Sequence, residues 1–447
     1  MRKVIFIDYN NLIKKENIKI RVNSPINEKK LMEINPNCTY FTIIKQNNKY
    51  LLFFKDKPSK DDKLYKIVGY YSGDYTYYME GDNPFKFGGR RLIIEDPAIS
   101  HNAVPFYDKN NNIKVLGGLH WSKDFYKEKV VKKEKHIFID YEGHMIVNPK
   151  KVLKNVKCNG IYLFNKEGDK LKYVRETPIV NGSMKGLVNK RKNHPISEFD
   201  GRSIIVYFKN KYIIYIRSNI MVADGSIGVG DKDRKTNVKG GGVRAVQYAV
   251  SEDCIKWSEF KFIDIDFDYK RDNIYFFGVQ KYSDDILLSI FPYSNGKEGY
   301  IGISFSHDGI SWTKVRKFID SKISKTNNDR VIDFSIHHVI EYGDKMLFYI
   351  HRNYIWWEAK NNKNYITYME LGKDRITSIN SGKGEFSVII KDVERIGLNY
   401  KVNKGGYIMV KIGEDKNYNY DNFDKLKKED SIYEELSWCG KRYGKRG

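Results

Sequence analysis

The feature that most constrains the fold is a pair of apolar runs joined by a polar turn, which recurs five times along the chain. Each copy has a run of β-branched or aromatic residues, a short turn rich in Asn, Asp or Gly, and a second apolar run, as in a tight β-hairpin. The copies are Phe41–Phe54, Val104–Gly117, Ile204–Ile216, Phe277–Ile290 and His338–Ile350. Helical periodicity does not persist over several turns. Sheet units repeated in this way predict a β-propeller.

A second hairpin motif, Ser-x-Asp-x-x-x-Trp, follows two of these units, at Ser251–Trp257 and Ser306–Trp312. We expect the Ser and Asp side chains to bond the amides of their own turn and the Trp to fill the space between neighbouring sheets. Two hairpins per unit give four strands, so the sequence predicts an all-β fold with a five-bladed β-propeller over residues 38–371. The blades are predicted at about 38–84, 100–178, 196–264, 272–320 and 333–371. Residues 1–37 are predicted to be a strand and connector packing on the propeller, and 372–447 a small C-terminal β-sheet appendage with a basic tail.

Composition limits the partners and the compartment. The formal charge is +23, from 79 Lys and Arg against 56 Asp and Glu. A solvated lysine surface accounts for this, and a polyanion partner is the alternative; no nucleic-acid-binding motif accompanies the charge. The four scattered cysteines indicate neither a zinc site nor a disulfide framework. Without a signal peptide or a long apolar run, we expect a soluble protein, cytoplasmic or virion-associated, with no membrane span. The Gly-rich segment Val222–Gly242 lacks the features of a phosphate loop and is predicted to be a loop over the propeller face.

The chemistry is expected where the innermost strands of the blades begin, because these ends meet around one axis. Acids and histidines stand at those positions in several blades, against the basic bias of the chain. The catalytic candidates are Asp96, His101, Asp200 and Asp272. The substrate-binding candidates are Asn102, Glu198, Arg217, Arg244, Arg271, His337, His338 and Arg352. Of His337 and His338, we expect one at most to face the axis, because neighbouring strand residues point to opposite sides.

Acids that meet in a funnel suit cleavage of a glycosidic bond. One carboxyl group donates a proton to the leaving oxygen, and another activates water or attacks the anomeric carbon. Arginines at the ends of second strands, such as Arg217 and Arg352, would bind sugar hydroxyls or a carboxylate. No cofactor is expected, no metal ligand is assigned, and no calcium-loop motif occurs.

The chain resembles the five-bladed glycoside hydrolases of the invertase, levanase and arabinanase kind, in particular an uncharacterised glycosyl-hydrolase-like branch found in environmental bacteria and large DNA viruses. The resemblance is carried by Ile5–Ile13, His101–Asp108, Arg244–Asp253 with Trp257, Asp272–Tyr275, and Leu398-Asn-Tyr with the Gly406–Lys411 strand. It implies a funnel with an acidic base or nucleophile, a second tuning acid and a proton donor, and Asp200 and Asp272 match two of these. In blade one those relatives carry a catalytic Asp, where this chain has Asn37-Cys38. Either Asp96 or His101 takes its place, or the site is degenerate.

Three functions therefore remain from the sequence. The first is a glycoside hydrolase acting on an oligo- or polysaccharide, including acidic ones. The second is a non-catalytic glycan-binding or virion-surface propeller. The third is a polyanion-binding scaffold, for which binding would weaken steeply with salt.

Overall fold

The fold is seen in a computed structural model, which describes most of the chain. The described residues are 4–10, 12–34, 38–56, 75–94, 97–100, 102–120, 137–139, 145–147, 159–181, 184–186, 201–221, 242–268, 272–294, 298–321, 333–352, 364–390, 395–413 and 416–442. They fall into two compact units. One comprises residues 27–340 and 348–369, and the other residues 1–26, 341–347 and 370–447.

The larger unit is built on five antiparallel sheets of four or five strands, which confirms the five-bladed propeller. Blades one to three each have a four-stranded sheet. Blade one consists of β4 (Thr39–Gln46), β5 (Lys49–Asp56), β6 (Tyr75–Asn83) and β7 (Lys86–Ile94). Blade two consists of β8 (Val104–Tyr107), β9 (Ile113–His120), β12 (Asn159–Glu167) and β13 (Lys170–Tyr173). Blade three consists of β14 (Ile204–Phe208), β15 (Lys211–Met221), β16 (Gly242–Ser251) and β17 (Lys261–Phe262). A separate hairpin, β10 (Ile137–Ile139) with β11 (Met145–Val147), lies between β9 and β12 in the sequence, and a short helix α1 (Pro97–Ser100) precedes β8.

Blades four and five have five strands each because the innermost strand is interrupted. Blade four consists of β18 (Asn273–Ile274), β19 (Gly278–Ser283), β20 (Ile286–Ser294), β21 (Gly299–Ser306) and β22 (Arg316–Asp320). Blade five consists of β23 (Phe334–Ser335), β24 (Ile340–Tyr342), β25 (Lys345–Arg352), β26 (Asn364–Gly372) and, on its outer edge, β3 (Ile26–Ile34).

Two boundaries differ from those predicted. Blade one extends past Pro84 to include β7, whose residues are exposed or half-buried except for Ile94, and whose apolar run is limited to its last three residues, 92–94. The outermost strand of blade five comes from the start of the chain, since β3 pairs with β26. This strand is also mostly exposed, so hydrophobic patterning gives it no signature.

The Ser-x-Asp-x-x-x-Trp turns are built as the sequence predicts. In the second copy Asp308 Oδ1 accepts the amides of Ile310 at 2.7 Å and Ser311 at 2.8 Å, and the Ser306 hydroxyl accepts the Gly309 amide at 2.8 Å. The first copy repeats this pattern around Ser251 and Asp253. Trp312 is buried in the apolar cluster shared by blades three and four, with its ring 4.8 Å from that of Phe277.

The smaller unit is a set of short two-stranded sheets. Its strands are β1 (Lys14–Glu16), β2 (Lys19–Val22), β27 (Thr377–Asn380), β28 (Glu385–Ser387), β29 (Gly397–Lys401), β30 (Asp430–Glu435), β31 (Ser437–Trp438) and β32 (Lys441–Arg442), with a 3-10 turn at Lys416–Tyr418. The first two strands pair with β28 and β27, so the start of the chain shares a unit with the C-terminal region. A core of its own surrounds Tyr400, Leu436 and Trp438.

Candidate functional site

The candidate site is the end of the propeller at which the innermost strands begin. Within one or two residues before those strands stand Cys38, Asn102, Arg202, Asp272 and Asp333, one in each blade. All five are buried. Antiparallel pairing brings the ends of the second strands and the starts of the third strands to the same end of each blade. Residues distant in sequence therefore converge here.

Several predicted site residues lie outside the described part of the chain. These are Asp96, His101, Glu198, Asp200 and Arg271, together with most of the Gly-rich segment 222–242. The described candidates are Asn102, Arg217, Arg244, Asp272, His337, His338 and Arg352.

Asp272 is the described catalytic candidate, and its side chain is held in a tight local turn. The residue is 5% exposed. Its Oδ2 accepts the Asp268 amide at 2.9 Å, and its own amide donates to the Asp268 carbonyl at 2.8 Å. Burial, with the charges of Glu298 and Asp272, raises the pKa of Tyr300 to about 12. The Tyr300 phenol is therefore protonated at neutral pH, and it is close enough to Asp272 for the two side chains to interact electrostatically.

Two predicted substrate-binding arginines lie over one aromatic ring. The guanidinium carbons of Arg217 and Arg244 are 5.5 and 5.3 Å from the centre of the Tyr275 ring. That ring stacks on Phe334 of blade five, with centroids 4.9 Å apart. Such distances are within the range of cation–π attraction. The structure therefore brings Arg217 and Arg244 together at the half-buried Tyr275, three residues after Asp272.

Backbone freedom at Gly201 makes room for Arg217. Gly201 has a φ of +146°, and a Cβ there would lie 3.1 Å from Arg217 Nε and 3.3 Å from its Cζ. A larger residue would strain the backbone and press on the guanidinium. Gly201 directly follows the catalytic candidate Asp200 in the sequence.

Arg352 is engaged by protein carboxylates. Its Nε donates to Glu28 at 2.8 Å, and its Nη1 donates to Asp333 Oδ2 and to the Asp320 carbonyl, both at 2.9 Å. Burial opposes the charge of Arg352, but the attraction of Asp333 and Glu28 outweighs it and raises the pKa. The geometry makes Arg352 a link between the innermost strand of blade five and its outer strand β3; its predicted role in substrate binding stays a prediction.

His337 and His338 do not alternate as neighbouring residues of a regular strand would. Their rings stack with centroids 3.8 Å apart. The reason is that His338 adopts a φ of +71°, which breaks strand alternation, and that neither residue lies within β23 or β24. Burial lowers the pKa of His338 to about 3, and burial, His338 and Arg202 together lower that of His337. Both rings are neutral at physiological pH.

Sequence reasoning gave no site role to Arg202 or to the aromatic pair Tyr275-Phe276. Arg202 lies against blade one, bonded to the Phe41 carbonyl and to Thr42, with its guanidinium carbon 5.2 Å from the Phe276 ring centre. The available signal was position alone, since Arg202 precedes an innermost strand as Asp272 does. Asn102, which was predicted, is 2% exposed at the equivalent point of blade two.

Comparisons with known proteins give matches only among solved structures. Neither a scan of family models nor a search of curated proteins finds a match. The structure of BT0996 in an RGII complex matches at 14% identity over 78% of this chain and 92% of its own length, with a TM-score of 0.49. The RS223 β-xylosidase matches at 10% identity over 81% and 98%, with a TM-score of 0.43. The GH93 α-L-arabinofuranosidase of Fusarium graminearum with arabinobiose matches at 9% identity over 79% and 98%, with a TM-score of 0.40.

Two features of other protein classes do not occur among the described residues. These residues contain no group of three or more His, Cys, Asp or Glu side chains placed to hold a metal ion. Nor does any helix among them have the length and apolar character needed to cross a bilayer.

Proposed function

We propose that the protein is a glycoside hydrolase whose substrate binds at the end of the propeller where the innermost strands begin. The observation that carries the proposal is the placement of the buried Asp272 carboxylate in the same blade as Tyr275, with two arginines over the tyrosine ring. An aromatic face with convergent polar groups is typical of small-ligand sites. The arginines would donate to sugar hydroxyls or to a sugar carboxylate.

In this proposal Asp272 is one member of a carboxyl pair. Hydrolysis needs a second carboxyl group, so that one acid protonates the leaving oxygen while the other activates water or attacks the anomeric carbon. Asp333 is poorly suited, because it is fully buried and ion-paired to Arg352 at 2.9 Å. The partner would come from Asp200, Glu198 or Asp96, with Asp200 preferred because Gly201 abuts Arg217.

The test is release of reducing ends from a panel of neutral and acidic oligosaccharides by wild type, Asp272→Asn and Asp200→Asn. Loss of a general acid or base lowers the rate by about 10²–10⁴-fold. Asp284→Asn is the matched control, since Asp284 is an exposed acid in the turn at the opposite end of the same blade. Asp272→Asn activity equal to that of the control would remove Asp272 from the mechanism.

The ion pair of Asp333 also favours a second candidate, a glycan-binding propeller without catalysis. A funnel whose blade-five acid is neutralised by Arg352 has one fewer carboxyl group for chemistry. Binding measured by calorimetry would then persist in Asp272→Asn and be lost in Tyr275→Ala, with no product released by wild type.

A further inference from the structure

Arg202 is a buried cation that the proposed hydrolysis does not use. The residue is 2% exposed. One guanidinium nitrogen donates to the Phe41 carbonyl at 2.9 Å and another to the Thr42 hydroxyl, both in the innermost strand of blade one. Its Nε is buried and has no hydrogen-bond partner among the described residues. At least one N–H donor of a charged group, that of Nε, is therefore left over inside the propeller.

Within the described part of the chain, the surroundings of Arg202 hold no acid paired with it. The neighbouring groups are aromatic or neutral: Tyr40, Phe276, Thr42 and the two histidines. Burial lowers the pKa of Arg202 to about 9, which leaves it charged at neutral pH. An uncompensated buried charge is strongly unfavourable, and buried charges are normally paired. A negative charge from outside the described residues would remove this cost.

The neighbours of Arg202 offer a further unsatisfied polar group. His337 is 5% exposed, lies beside Thr42 through a backbone bridge, and has a buried Nε2 without a partner among the described residues. As the Nε2-protonated tautomer it would donate to an anion. His338 donates to the Pro105 carbonyl from its other ring nitrogen. Its Nε2 is also buried without a partner in the described part of the protein, but in this neutral tautomer it carries no proton and can only accept, so His338 adds no donor for an anion.

Unsatisfied buried polar groups in a native fold call for a bound water or ion. The charge of Arg202 decides which kind of ion fits. A metal cation would be repelled by the guanidinium, whereas an anion would accept from Arg202 Nε–H and neutralise its charge. A monoanion matches the single positive charge of the Arg202 guanidinium.

We propose that Arg202 and His337 form a binding site for a small monoanion near the propeller axis, either a halide or a carboxylate group. The site adjoins the Asp272–Tyr275 region, since the Arg202 guanidinium carbon lies 5.2 Å from the ring centre of Phe276, but it does not depend on the hydrolase proposal. Its physical role is to neutralise the Arg202 guanidinium where blades one, three and five meet. A bound anion would thereby stabilise the closed ring of blades.

The first experiment uses the wild-type protein, crystallised with sodium bromide. We expect an anomalous bromine peak at Arg202 Nε. The second follows thermal unfolding in chloride, bromide, acetate and galacturonate, against gluconate at equal ionic strength as the bulky reference. We expect a saturable rise in Tm with at least one small anion. A rise with halides identifies an inorganic ion, and a rise with galacturonate alone identifies a sugar carboxylate.

Two variants separate the site from general salt effects. Arg202→Met removes the charge at similar length and should abolish the anion-dependent rise, while Arg316→Met, which replaces an exposed arginine in blade four, should keep it. If Arg202→Met does not fold, Arg202→Lys retains a cation but loses Nε–H and should weaken anion binding at least tenfold. Anion stabilisation that survives in the Arg202 variant, or bromide crystals without density at Arg202, would overturn the proposal.

Discussion

Arg352→Met is the substitution that tests most directly how this propeller is held together. It replaces a 2% exposed guanidinium by an apolar side chain of similar length and takes the Arg352 cation away from Asp333, which is 0% exposed. The Ser321 hydroxyl, which donates to Asp333 Oδ2 at 2.9 Å, is neutral and cannot replace that charge. Removing one partner of a buried ion pair costs about 3–5 kcal/mol, because the other charge stays buried. We expect the free energy of unfolding of the propeller to fall by about that amount.

The assay is urea unfolding followed by far-UV circular dichroism and tryptophan fluorescence. Lys317→Met is the control, because Lys317 pairs with Asp320 at 2.6 Å but both side chains are exposed, and such pairs contribute about 0–1 kcal/mol. The double variant Arg352→Met/Asp333→Asn removes the stranded charge and should recover much of the loss. The reasoning is refuted if Arg352→Met costs no more than Lys317→Met, or if the double variant is as unstable as the single one.

Three further predictions concern other elements. Asp308→Ala should lower the free energy of unfolding by about 1–2 kcal/mol at pH 7. Burial raises the pKa of the Asp308 carboxyl group, but the hydrogen bonds from the Ile310 and Ser311 amides outweigh burial and lower it. Denaturation curves should therefore show the stability difference between wild type and variant shrinking as the pH falls below the pKa of Asp in the unfolded chain, which is about 4. Gly201→Ala should lower the free energy of unfolding by about 1–3 kcal/mol in the same assay. The loss should be larger than that of Gly168→Ala, because a Cβ at Gly168 would meet open space, and equal losses would contradict the contact with Arg217. Burial lowers the pKa of His351 to about 3, so below about pH 6.5 this residue binds a proton in the unfolded chain but not in the folded chain. The free energy of unfolding should therefore fall by about 1.4 kcal/mol per pH unit because of this residue, and His351→Phe should show a shallower dependence of stability on pH.

The parts of the fold that could be predicted from sequence are those governed by local rules. Hairpins can be recognised in the sequence because apolar runs alternate with turn residues. The hydrogen bonds that Ser306 and Asp308 accept in their turn span only two to three residues. The place of β3 as the outer strand of blade five was not predicted, because its exposed residues carry no apolar pattern. Its pairing with β26 also joins segments that are more than three hundred residues apart in the sequence. Local patterning holds no information on such a pairing.

The sequence could predict the positions of candidate site residues along the chain, but not the partners of their side chains. Counting back from the innermost strands picks out Asp272 and Asn102, which lie among the buried residues at the strand starts. The same counting could not show that Arg352 binds Glu28 or that Arg202 binds Phe41, since these partners are 324 and 161 residues away. Stacking of His337 on His338 depends on one positive φ, which a non-Gly residue adopts only under tertiary constraint.

The buried ion pair and the strand order together suggest why an arginine stands at the end of β25. Glu28 lies on β3, the strand that closes blade five, and it accepts from Arg352 Nε, while Asp333 at the start of the innermost strand accepts from Nη1 of the same guanidinium. One side chain therefore spans the blade from its innermost strand to its outermost one. A lysine could not do this, because its single ammonium lacks the fork that reaches two carboxylates in fixed directions. Arg352 thus links the outermost strand of blade five to its innermost strand, which begins at Phe334, the residue whose ring stacks on that of Tyr275.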